Sequence, residues 1–131
     1  MPRRFTREEA DALLPEIAPL LMQVRDLKRQ NDEARAAVNE LQERLKTNGH
    51  SMDVELTQLS RKLQESGAAI NVLVERVTRH GIEVKDLDMG LVDFRAERGG
   101  RDVYLCWKLG EERVSYWHEL HTGYATRQPL D

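Results

Sequence analysis

From Ile17 the apolar positions advance in alternating steps of three and four: Ile17, Leu20, Val24, Leu27, Asn31, Ala34, Val38, Leu41 and Leu45. A second series repeats the spacing beyond Thr47-Asn48-Gly49-His50-Ser51: Met52, Leu56, Leu59, Leu63, Ser66, Ile70, Leu73 and Val77. Such steps keep one stripe on one side of a helix, so each series predicts a helix with a heptad seam. The break between them is short, and a short connection forces the two helices to run antiparallel as a coiled-coil hairpin. Pairing positions whose numbers sum to about 97 sets Leu41 against Leu56 and Val38 against Leu59. The same register sets Asn31 against Ser66, the two polar members of the seams, where a mutual hydrogen bond would reduce the cost of burying each. A polar seam residue is best attested as a device that fixes register, and Asn31 is read that way here rather than as a ligand contact.

Thr6 and Glu9 have the spacing of a capping box, with Phe5 and Ala10 placed as a hydrophobic staple, so a helix starts near residue 7. Pro15 and Pro19 each remove a backbone donor and disfavour helical geometry just before them, which predicts a short first helix kinked or broken there. Flanking positions between residues 28 and 66 are mostly charged, among them Lys28, Arg29, Glu33, Glu40, Glu43, Arg61 and Lys62. That end reads as an exposed arm. Near the base, Leu13, Leu14, Leu21, Val72 and Val74 widen the apolar stripe, and a second layer must cover it.

From Gly81 the period falls to two, and every aromatic except Phe5 lies beyond this point. Three runs read as strands of a small antiparallel meander: Leu91 to Glu97, Asp102 to Leu109 and Val114 to Leu120, with Ile82 to Lys85 a weaker fourth. Gly99-Gly100 supplies the positive φ of a tight hairpin, and residues 110–113 the next loop. Pairing Arg98 with Arg101 puts Val92, Phe94 and Ala96 on one face with Val103, Leu105 and Trp107. That apolar face should lie on the helical base, leaving Asp93, Arg95, Tyr104 and Cys106 on the other. A one-residue change in the loop would exchange the faces of Tyr116 and Trp117, so the third strand's burial stays open.

The expected fold is therefore α+β, a single domain over 1–131 with a helical hairpin at 1–80 and the β-meander and C-terminal tail at 81–131. A chain of 131 residues, 40% hydrophobic and 33% charged, is large enough to bury a core and too apolar for a disordered one. Its formal charge of −3 lies beyond residue 80, where acids outnumber bases. Neither half has the cationic excess that phosphate binding needs, which argues against nucleic acid as a partner. No apolar run is long enough to span a bilayer or to act as a signal core, and a cytoplasmic location is expected. The single cysteine, Cys106, cannot form an internal disulfide and fits a reducing compartment.

The densest set of metal-ligand types is His118, Glu119 and His121, with Cys106 and Asp93 on adjacent strands. A divalent transition metal such as zinc needs three or four converging N, O or S donors, and the two histidines converge only if the chain turns at Leu120. In a continuous strand they point to opposite faces. The tetrapeptide His-Glu-Leu-His lacks the one-turn histidine spacing of a helical metalloprotease motif, and the plainer reading makes His118 an edge-of-core residue and His121 solvated. Cys106 sits mid-strand and reads as a small buried hydrophobe unless a cation or base lowers its pKa. Asp86, Asp88 and Asp93 lack the glycine and distal glutamate of a calcium loop. Trp107, Tyr116, Trp117 and Tyr124 read as core rather than pocket lining. With no phosphate loop and no serine elbow, the composition favours a non-enzymatic protein.

Phe5-Thr6, Glu9-Ala10, Leu13-Leu14-Pro15, Val84-Lys85-Asp86-Leu87-Asp88, Gly90-Leu91-Val92-Asp93-Phe94, Tyr104-Leu105-Cys106-Trp107, Leu109-Gly110-Glu111, Trp117-His118, Gly123-Tyr124 and Arg127-Gln128-Pro129-Leu130 together resemble the bacterial DUF2203 family, whose function is unknown. The likeness spans nearly the whole chain and is densest over 82–130. It implies no activity; it implies that a functional surface lies in the β part. The family pattern places an acidic residue near position 121, where this chain has His121.

The function expected from these residues is protein interaction or self-association through the arm or the sheet. Pairing of two hairpins as a homodimer would cover Ala36, Ala37, Ala68 and Ala69. The alternative is metal binding through His118, Glu119 and neighbouring Cys106, His121 or Asp93.

Overall fold

The computed structural model describes residues 3–48 and 53–131. Helix α1 spans Arg7–Asn48 and α2 spans Asp53–Thr78. The two pack antiparallel: Asn31 meets Ser66, and Glu16 Oε1 lies 3.3 Å from His80 Nε2 near the base. Both pairs satisfy the register expected from the seams. The reversal was placed at Thr47 to Ser51; α1 continues through Asn48, and Gly49, His50 and Ser51 lie outside the described residues, as does the seam position Met52.

The capping box forms as its spacing requires. Thr6 Oγ1 accepts the Glu9 N–H at 3.1 Å, and Glu9 Oε1 accepts the Thr6 N–H at 2.8 Å. The expected break at Pro15 and Pro19 does not occur, for both prolines sit inside one 42-residue helix. Each costs about 3 kcal/mol in a helix interior. Leu14, Ile17, Leu20 and Leu21 are all buried on the opposite side of the same turns. Each contributes roughly 1.5–3 kcal/mol, which outweighs the two prolines. Spaced four apart, the prolines share an exposed side of the helix, the side on which water can meet a carbonyl that has lost its partner.

Five strands rather than three form one antiparallel sheet in the order β1 (Glu83–Asp86), β2 (Leu91–Arg98), β3 (Arg101–Lys108), β4 (Tyr116–Glu119) and β5 (Gln128–Pro129). The weak fourth candidate is β1, and the run from Val114 to Leu120 contracts to β4. Strand β5 went unforeseen, because two residues ending in proline carry no alternation. The Gly99-Gly100 hairpin pairs Arg98 with Arg101, with φ of 60° and 80° at the two glycines.

As expected, Val92, Phe94, Ala96, Val103, Leu105 and Trp107 face the helical base, in one core with Ile17, Leu21, Val24, Ile70 and Val77. Trp117, paired with Leu105, joins this face, which settles the open register of β4. Phe5 closes the layer edge-on to Phe94, their ring centroids 5.2 Å apart. The sheet's other face is not solvated. From Leu91 to Phe94, four consecutive residues of β2 are buried, so both faces are covered.

Candidate metal centre

Asp93 and Cys106 stand directly opposite each other on β2 and β3, and His118 on β4 lies diagonally beyond, opposite Tyr104. Strand alternation points all three side chains to the face away from the helices. Their ligand atoms lie within 4.8 Å of one another, and all three residues are buried. Donors around a tetrahedral zinc, bound at roughly 2.0–2.3 Å, sit about 3.3–3.8 Å apart. Closure by about an ångström would therefore bring these three into range.

Hydrogen bonding fixes the imidazole. His118 Nδ1 lies 2.8 Å from the Glu119 carbonyl, and Nε2 lies 3.1 and 3.0 Å from the two Asp93 oxygens. A carbonyl only accepts, so Nδ1 carries a hydrogen. The bond Nε2 makes to the carboxylate then requires one shared proton between ring and acid. Burial raises the Asp93 pKa, and His118 opposes that rise. An imidazole held through Nδ1 by a backbone carbonyl is the arrangement that aims Nε2 at a metal.

Burial, reinforced by the Asp93 charge, pushes the Cys106 thiol up to about 12. The thiol is protonated at neutral pH and is no activated nucleophile. Arg127 stands beside it, Nη1 being 3.9 Å from Sγ. Its guanidinium is neutralised by a two-pronged bond to Glu111 at 3.0 and 2.5 Å. It also lies over the rings of Tyr116 at 3.9 Å and Tyr124 at 4.5 Å. Across the sheet, Lys85 lies over the Tyr104 ring and pairs with Glu83 at 3.1 Å. Arg127 and Lys85 are thus each paired with a carboxylate, while Arg95, also over the Tyr104 ring, shares Asp102 with Arg4. Strand β5 extends the sheet at the edge of β4, and the segment before it carries Arg127 over Tyr116 and beside Cys106.

Glu119 and His121 do not join the triad. Glu119 faces the other side of β4, where its carboxylate takes both Nε and Nη2 of Arg101, an interaction that holds it below the usual carboxylate range. His121 is exposed in the turn after β4. The chain does leave the strand near Leu120, but with His118 pointing inward the two imidazoles part. Sequence reasoning missed Arg127, Glu111 and Tyr124 as a group. Their only signal was membership of Gly110-Glu111, Gly123-Tyr124 and Arg127-Gln128-Pro129, three of the segments on which the family likeness rests.

A family model described as "Uncharacterized conserved protein" matches residues 3–130. No curated protein and no solved structure matches the chain. Among the described residues no helix is long and apolar enough to cross a membrane.

Proposed function

Because the chain belongs to the DUF2203 family, whose description carries no activity, we propose from its own geometry that it binds a divalent transition metal of the zinc class through Asp93, Cys106 and His118. The observation that carries this is the convergence of one O, one S and one N donor within 4.8 Å on a buried sheet face. That set suits a borderline-soft ion.

Charge balance supports it. The Asp93–His118 pair with its shared proton is neutral, and so is the Cys106 thiol. Replacing both protons by one divalent ion leaves carboxylate, thiolate and neutral imidazole around a double positive charge. The buried site stays neutral, and the large cost of an uncompensated buried charge does not arise.

The test is Co(II) titration of chelator-treated protein. A thiolate-to-cobalt charge-transfer band should appear at one equivalent, vanish in Cys106→Ser, and be displaced by zinc. No band, together with no change in melting temperature on adding zinc, would end the proposal.

A second reading, partner binding or self-association through the arm, draws on a different observation. Val54 is 72% exposed and the seam residues Leu56, Leu59 and Leu63 are only half-buried, so the hairpin leaves apolar surface near its tip. A second copy would cover it. Light scattering at rising concentration should show mass doubling; a constant monomer mass would remove this reading.

A further inference from the structure

Where the core face of the sheet reaches the Gly99-Gly100 hairpin, the apolar layer is incompletely filled. A cavity of about 450 Å³ opens there, lined by Phe5, Ala96, Val103, Leu105 and Leu130, with Arg4, Thr6, Arg7, Glu9, Glu97 and Arg98 around it. No residue of α2 lines it; the entry segment, the first turn of α1 and Leu130 of the C-terminal tail cover this end of the sheet. Such a volume is in the range of small-molecule sites, which are mostly apolar with a few placed polar groups.

The rim cations are not equivalent. Arg4 pairs with Asp102 and Arg7 with Asp131, each at 2.9 Å. Of the acids, Glu9 is committed to the Thr6 cap and Glu97 is exposed. Arg98 lies over the Trp117 ring, 4.8 Å from its centroid; among the described residues no carboxylate lies within ion-pair distance of it, and Asp131 is the acid whose pKa its charge helps to lower. A guanidinium fixed against an aromatic face at the mouth of an apolar cavity presents its donors for a planar, two-oxygen anion.

We propose that this cavity binds a small organic carboxylate, the apolar body lying on Ala96, Val103 and Leu105 and the carboxylate on Arg98. It lies on the opposite face of the sheet from the metal centre and does not depend on it.

The probe is 4-phenylbutyrate, titrated into the full chain with chelator present and followed by amide chemical shifts; 4-phenylbutylamine, of like shape and opposite charge, is the control. Saturable shifts should centre on Ala96, Val103 and Leu105, with the amine at least tenfold weaker. Arg98→Gln, an exposed change that spares the core, should weaken phenylbutyrate at least fivefold, and Ala96→Phe, which fills the cavity, should abolish binding. Absence of saturable shifts, shifts centred on the arm, equal binding of the amine, or an Arg98→Gln variant that binds like the parent would each overturn the proposal.

Discussion

Asn31 Nδ2 donates to Ser66 Oγ at 2.9 Å and to the Leu63 carbonyl at the same distance, locking the two helices midway along the hairpin. Ser66 Oγ also donates to the Leu63 carbonyl at 3.1 Å, so removing the amide does not orphan the hydroxyl. Asn31→Leu then exchanges a buried amide for apolar packing without stranding a polar partner, and stability should rise by about 1 kcal/mol. Urea unfolding checks it, and a loss of that size would show that the polar pair is a net stabiliser.

This pair was legible because it needed only the period of the seam. Asn31 and Ser66 fell into register as soon as the helices were folded back on one another. Helix continuity was not legible, since the local cost of Pro15 and Pro19 is written in the sequence while the burial of Leu14, Ile17, Leu20 and Leu21 exists only once the sheet is in place. The candidate site was read in half. Strand alternation put Asp93 and Cys106 on one face, but Glu119 and His121 were added by sequence proximity to His118. Proximity along a strand places neighbours on opposite faces, which is where Glu119 is found. The Arg127–Glu111 pair joins residues 16 apart across a loop and a two-residue strand, and no periodicity announces it.

If the metal replaces the shared Asp93–His118 proton and the Cys106 proton, binding releases about two protons per ion. Calorimetric zinc titrations at neutral pH, in buffers of different ionisation enthalpy, should recover that number, and apparent affinity should fall about a hundredfold for each unit of acidification over the same range. In Cys106→Ser the count should drop to about one. Release of no protons would mean that zinc binds elsewhere.

Metal-free protein should lose stability in alkali through Cys106. An unfolded thiol ionises near 9.0, while burial holds the folded one protonated up to about 12. Between those values the native state binds more protons than the unfolded state. The contribution is complete below pH 9 and is lost toward pH 12, at about 1.4 kcal/mol per pH unit. Urea midpoints across this window, with chelator present, should fall more steeply for the wild type than for Cys106→Ala. Parallel curves would place the thiol in a wetter site than the sheet face provides.

Gly90 closes the turn between β1 and β2 with φ of +62°, and its carbonyl accepts the Leu109 N–H at 3.0 Å. A Cβ built there would lie 2.7 Å from Leu109 Cβ, inside any real contact distance. Gly90→Ala therefore carries two separable penalties, a left-handed backbone that alanine resists and a clash across to the end of β3. Together they should cost about 2–4 kcal/mol in urea unfolding. Leu109 Cβ is also the Cβ of alanine, so Leu109→Ala in the same chain relieves only contacts beyond it, and the double variant should recover little. Substantial recovery would mean that the outer Leu109 atoms, at 3.3 and 3.6 Å, dominate the cost.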